Sequence, residues 1–171
     1  ARRAERLAPL SLLAMSAVTW SLLHNGDVED CEAQLHRILA VDAEFSMALV
    51  LLARLAEARR DMVAAVRYSR RWLLSMGAAA TQADGLPAAA ADGWAAYWRA
   101  YRDALDGLAV GGGFSRPVFA AAAHMQLNEP EAALDQLEEA VEARAPTLIF
   151  LGTDLRFVTL RGDPRFQAIL Q

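Results

Sequence analysis

The fold is decided by Leu22–Ser46, "LLHNGDVEDCEAQLHRILAVDAEFS", set beside Leu55–Ala79, "LAEARRDMVAAVRYSRRWLLSMGAA". Asp27 and Asp61 fall 34 residues apart, and so do Cys31 and Ala65. Each stretch passes from an apolar helical pattern through a polar turn to an acidic residue and a second apolar run. An acidic residue at that point is a helix N-cap signal, because its carboxylate accepts from N–H groups that have no partner inside the helix. A third copy follows in "AHMQLNEPEAALDQLEEAVEARAP", where Glu129 takes the Asp27 position and Ala133 the Cys31 position. Pro130 suits a first helical residue, whose missing N–H removes no bond. Upstream, Pro9 matches Ala43 at the same offset.

The pattern predicts an almost wholly helical chain, with helices near 10–25, 27–41, 45–59, 61–76, 92–108, 115–127 and 130–144. Cys31, Ala65 and Ala133 are the small residues expected where paired helices cross, with Asp27 and Asp61 as caps. "GAAATQADGLPAAAA" breaks the rhythm: a helix belongs there, but Gly85 and Pro87 are expected to prevent a good one. "VGGGFSRP" reads as a second loop, with helix-start signals at Ser115 and Pro117.

A two-helix unit of about 34 residues resembles the tetratricopeptide (TPR) repeat. The resemblance implies an all-α, right-handed solenoid of antiparallel helix pairs, read as a single domain over 1–171. Within it, 1–9 ends a preceding repeat, 10–43 and 44–77 are repeats, 78–113 is degenerate, 114–146 is a repeat and 147–171 is a capping tail. The chain accordingly reads as a fragment of a longer protein. The C-terminal half, with "LDQLEEAVEAR", "TLIFL" and "LRGDPRF", is similar to the TPR tails of bacterial winged-helix transcriptional regulators, nucleotide cyclases and Ser/Thr kinases. That likeness implies a non-catalytic regulatory segment whose effector domain lies N-terminal to it.

A solenoid exposes an apolar face on its last helix pair unless something caps it. Leu148, Ile149, Phe150, Phe157, Leu160, Phe166, Ile169 and Leu170 are the expected cover, with Asp163-Pro164 starting a final helix. Arg161 and Arg165 are expected to pair with Glu138, Glu139 or Glu142.

Composition removes several chemistries. All 17 basic residues are Arg, so phosphate-binding loops and Schiff bases that need a Lys amine are excluded. The Arg-only usage also suggests a GC-rich, bacterial source. The formal net charge of −4 offers nothing general to nucleic acid. Cys31 is the sole cysteine, which excludes an internal disulfide and a Cys-based zinc site. His24, His36 and His124 stand apart without metal-ligand spacing, no G-x-S-x-G elbow occurs, and Gly111–Gly113 reads as a joint. Glu131, Asp135, Glu138, Glu139 and Glu142 read as a solvated acidic stripe. No enzyme activity, cofactor or metal is expected.

Leu7–Leu23 carries no charge and follows "ARRAER", a pattern shared with signal peptides and membrane spans. Pro9, Ser11, Ser16, Thr19 and Ser21 dilute it, and the repeat accounts for it better, so no span is expected. The expected compartment is the cytoplasm, or the periplasm if the parent is a membrane-spanning regulator.

Two surfaces are candidates for a partner. The family's inward-facing first-helix positions fall on Leu13, Ser16, Trp20 and Leu23, then on Met47, Val50, Arg54 and Glu57. Large aromatic and Met side chains on a concave face suit peptide capture. Arg59, Arg60, Arg67, Arg70 and Arg71 form a basic patch that either faces solvent or docks an acidic partner. Trp94, Tyr97, Trp98 and Tyr101 make an aromatic stripe that reads as core. The expected function is a protein-interaction module that takes a protein segment or its own effector domain. The alternative is a small-molecule sensor with a pocket near Trp94–Tyr101 and Met76–Pro87, where the repeat degenerates.

Overall fold

The computed structural model describes residues 11–108 and 116–171, and every regular element among them is helical. The helices are α1 (Leu12–Asn25), α2 (Val28–Val41), α3 (Ser46–Ala58), α4 (Met62–Ser75), α5 (Ala80–Ala83), α6 (Gly85–Ala91), α7 (Trp94–Asp106), α8 (Arg116–Gln126) and α9 (Pro130–Glu142). Two 3₁₀ segments, Pro146–Thr153 and Leu155–Leu160, lead to α10 (Pro164–Ile169). The seven helices expected from the sequence are present with their ends shifted by at most two residues. Ser115, an expected helix start, lies outside the described residues.

The chain divides into two compact units, Ala1–Met76 and Gly77–Gln171, where the sequence reads as one domain. In the first, α1 packs on α2, α2 on α3 and α3 on α4. In the second, α7 packs on α8 and α8 on α9, with α5 and α6 against α7.

Residues 80–91 are helical but interrupted, as the sequence leads one to expect: a four-residue α5 and a seven-residue α6 meet at Asp84, just before Gly85. Gly85 and Pro87 fall in the first turn of α6, where backbone N–H groups have no intrahelical acceptor anyway. Four alanines follow, the best helix formers, and Leu86 is buried.

The 34-residue register reappears in the backbone. Gly26, Arg60 and Asn128 link the paired helices, and all three have positive φ, at 78°, 59° and 60°. At each, the N–H reaches back to the carbonyl three residues earlier: Gly26 to Leu23, Arg60 to Glu57 and Asn128 to Met125. The next N–H reaches back five residues: Asp27 to Leu22, Asp61 to Ala56 and Glu129 to His124, at 3.0, 2.9 and 2.9 Å. The two bonds satisfy carbonyls that a helix end leaves without partners. The degenerate stretch differs, with its left-handed glycine at Gly93, one residue early, and the Gly93 N–H bonded to the Ala90 carbonyl.

Four residues beyond each acidic position lies the crossing residue. Cys31, Ala65 and Ala133 are all buried, and the Cys31 thiol meets the Thr19 carbonyl of α1 at 3.9 Å. Burial, and then the neighbouring Glu32, push the thiol pKa up, which suits packing and not reactivity. The caps are less uniform. Asp61 accepts from the Ala64 N–H at 3.0 Å, whereas the Asp27 side chain makes no capping bond and leaves the start of α2 to backbone closure.

The tail closes the second unit. Leu151, Phe157, Leu160 and Phe166 are buried in one cluster with Ala133, Leu134, Leu137 and Ala140 of α9 and with Val118, Ala121 and Ala122 of α8. The Phe157 and Phe166 rings lie 6.2 Å apart. Asp163 accepts from the N–H groups of Arg165 and Phe166 at 2.7 and 3.4 Å, and Pro164 is the first residue of α10. The expected cover is corrected at Ile149, which is 78% exposed, and at Leu170, which is 41% exposed. Both stand at positions the apolar cluster does not reach. Phe150 lies outside the described side chains.

The shared turn has opposite consequences at its two kinds of residue. Arg60→Gly is expected to raise stability by a few tenths to about 1 kcal/mol, because a Cβ at positive φ is strained. Gly26→Ala is expected to lower it by about 1 kcal/mol for the same reason. Urea unfolding of both variants checks this, and equal effects at the two sites would overturn the common-turn account.

Candidate functional site

The candidate concave face is carried by α1 and α3, and both of these helices pack on α2. On α1, Met15, Val18 and Leu22 are buried against the first unit's core, which leaves Ser16, Trp20 and Leu23 on a half-buried flank. The Ser16 hydroxyl donates to the Leu12 carbonyl at 2.6 Å. On α3, Ala48, Leu49, Leu52, Ala53 and Ala56 are buried, and Met47, Val50, Arg54 and Glu57 are half-buried. Leu13 lies outside the described side chains. The described candidates thus sit at the margin of the core, where an amphipathic helix turns from its packed stripe toward solvent.

The basic residues are engaged within their own unit. Arg59 pairs with Glu32 of α2 at 2.6 Å, tying the end of α3 to its neighbour. Arg71 of α4 donates to the Ala43 carbonyl and lies 3.6 Å from Glu44, both in the α2–α3 link. The Arg67 guanidinium lies 4.5 Å from the centre of the Tyr68 ring and donates to its hydroxyl at 2.8 Å. Arg60 is the exposed turn residue, and Arg70 is half-buried on α4. Arg59 and Arg71 therefore act as clasps between elements, a role that sequence spacing along one helix does not reveal.

The aromatic stripe on α7 is core. Tyr97, Trp98 and Tyr101 are buried. Their rings meet edge to face, Tyr97–Trp98 at 5.0 Å and Trp98–Tyr101 at 5.5 Å, the arrangement that ring quadrupoles favour. The Trp98 indole N–H is buried without a hydrogen-bond acceptor among the described residues.

The acidic stripe on α9 is not simply solvated. Arg165 of α10 donates to Glu138 at 2.8 and 2.9 Å, to Asp135 at 2.7 Å and to Glu131 at 3.1 Å. The three carboxylates share a helix face by i, i+4, i+7 spacing. Glu139 bonds instead with Arg116 and Gln136. Arg161, expected to reach α9, donates to the Gly152 carbonyl of its own tail at 3.2 Å. The Arg165 hydrogen bonds hold the Glu138 carboxyl below its ordinary value of 4.5 and raise the pKa of Arg165 itself. Sequence reasoning located Arg165–Glu138 but not Asp135 or Glu131, because the reach of the guanidinium depends on how α10 crosses α9.

Of the histidines, His124 lies 2.6 Å from Glu129 and His36 packs near Tyr68, while His24 lies outside the described side chains. Among the described residues, no three His, Cys, Asp or Glu side chains gather closely enough to hold a metal ion, and no helix is long and apolar enough to cross a membrane. Compared with known proteins, the chain matches no family model, no curated protein and no solved structure.

The Arg165 clasp has a defined pH signature. The Glu138 pKa is depressed in the folded state, so its contribution is present above 4.5 and is lost as pH falls through the folded value. Arg165→Gln is expected to lower the thermal midpoint at neutral pH, with the gap from wild type closing in acid and shrinking in high salt. A gap independent of pH would mean that the side chain acts only through its packing.

Proposed function

We propose that this chain is a non-catalytic TPR-type module for protein interaction and regulation, the C-terminal part of a bacterial transcriptional or signalling regulator. The observation that carries the proposal is the recurrence at one register of a left-handed turn between paired helices, at Gly26, Arg60 and Asn128, with a buried small residue five positions on at Cys31, Ala65 and Ala133; the same turn also ends α9 at Arg144, so it is the register and the small residue together that mark the repeat. Repeating helix pairs are scaffolds that present long faces, and their usual work is recognition. The chemistry points the same way: Glu131, Asp135 and Glu138 of α9 are ion-paired with Arg165, the thiol is buried, and Arg59 and Arg71 of the first unit clasp its own elements. The proposed ligand is a protein segment or the parent's own N-terminal effector domain, received on the α1 and α3 flank by Trp20, Met47 and Val50, with Arg54 and Glu57 setting polarity. The proposed compartment is the cytoplasm, or the periplasm for a membrane-spanning parent.

Trp20 is the anchor to test, since interface energy concentrates on half-exposed aromatic residues that a partner can enclose. Peptides selected on the wild-type chain from a display library are expected to bind Trp20→Ala on the order of tenfold or more weakly, with little change in thermal stability. Equal binding by the two proteins, or a Trp20→Ala chain that fails to fold, would remove the anchor.

The second proposal is small-molecule sensing in the second unit, favoured by the buried Trp98 indole N–H, for which no acceptor is found among the described residues. Leaving a buried donor unsatisfied costs roughly 1–3 kcal/mol, which an acceptor-bearing ligand would recover. Such a ligand should raise the thermal midpoint and shift tryptophan emission in wild type but not in Trp98→Phe. A ligand that stabilises both proteins equally excludes Trp98 as its contact.

A further inference from the structure

Asn25 closes α1, and Gly26 follows it in the left-handed turn. This is the one Asn-Gly step in the chain, and the only other asparagine, Asn128, precedes Glu129. We propose that Asn25–Gly26 is a self-modifying site, where the side-chain amide is lost without an enzyme and the first helix turn is rebuilt as a mixture of isoaspartyl and aspartyl linkages.

The backbone nitrogen of Gly26 attacks Cγ of Asn25. A new N–Cγ bond closes a five-membered imide, the Cγ–Nδ2 bond breaks, and ammonia leaves with the proton from the Gly26 N–H. Bulk water then opens the ring at either carbonyl. Attack at the side-chain carbonyl gives aspartate. Attack at the main-chain carbonyl gives isoaspartate, in which the chain runs on through the side-chain carbon. Atoms balance with water as the sole co-reactant, and nothing is oxidised or reduced.

Three features of the structure favour this site. Asn25 and Gly26 are both exposed, and Gly26 has open space where a side chain would project, so solvent reaches the step. The Gly26 N–H is shared between the Leu22 carbonyl and the Leu23 carbonyl, the latter at 3.2 Å, at the very end of α1. Freeing it requires only the last turn to open, a local event far easier than unfolding. The corresponding turn of the third copy provides an internal control. Asn128 sits one step later in its turn, at the left-handed position that Gly26 holds in the first copy, and Glu129 follows it, whose Cβ crowds the attacking nitrogen.

The product is not neutral for the fold. Either linkage places a carboxylate on the negative end of α1, two residues before the exposed Asp27. Isoaspartate also adds a main-chain carbon inside the loop closed by the Gly26–Leu23 and Asp27–Leu22 bonds. The first hairpin therefore loosens with age while the turns at Arg60 and Asn128 keep their form. The proposal holds whichever partner the module binds.

The test is to hold the folded chain in warm, mildly alkaline buffer and map deamidation by peptide mass spectrometry, with urea-unfolded chain alongside. The expected result is the amide-to-acid mass gain at Asn25, with isoaspartate as the larger product and ammonia released. The native rate should be on the order of tenfold below the urea rate, because the turn must first open. Asn128 should remain an amide. Asn25→Ser, which keeps Gly26 and the turn, should abolish the mass gain and the ammonia. Gly26→Ala should slow both states, so a loss of stability in that variant does not obscure the result. An Asn25 that stays intact in the native chain while the urea sample converts completely would overturn the proposal, as would conversion of Asn128 at the same rate.

Discussion

The helix pairs depend on how each one turns. A helix ends with carbonyls that have no partners, and a link of two or three residues must supply donors for them while reversing the chain. The solution at Gly26, Arg60 and Asn128 is one left-handed residue and two backward bonds, to carbonyls three and five residues earlier. That geometry brings the second helix back along the first, so the fourth residue after the acidic position meets the partner helix and must be small. Cys31, Ala65 and Ala133 follow from the turn as much as from their own chemistry. Arg60 shows the strength of the constraint, because the backbone keeps a conformation that costs an Arg about 1 kcal/mol where glycine would adopt it freely.

Completion of the second unit rests on a different balance. Phe157 and Phe166 are buried almost entirely, and each ring is worth about 1.5–3 kcal/mol removed from water. The Arg165 pairs are exposed to solvent, which screens them, so they contribute little beside the buried rings. Apolar burial therefore holds the tail, while Arg165 fixes where α10 crosses α9. This division also bears on function. The charged residues that sequence inspection singles out are largely occupied in joining elements, which is why the proposed recognition surface is the half-buried flank of α1 and α3, where Trp20, Met47 and Val50 lie.

The sequence alone determined the helical class, the helix limits to within two residues, the crossing residues and the cap at Asp163, because each is written in spacing or in a residue type with a local preference. The tertiary structure decided what spacing cannot encode. Pro87 became harmless because α6 starts at Gly85 and places it in the first turn. Arg59 and Arg71 became clasps because Glu32 and Ala43, distant in sequence, fold against them. Ile149 was left exposed although it is as apolar as Leu151 beside the core. Local propensity acts over one or two turns of chain, whereas the orientation of a side chain, and hence its burial or its partner, is fixed only when separate helices meet.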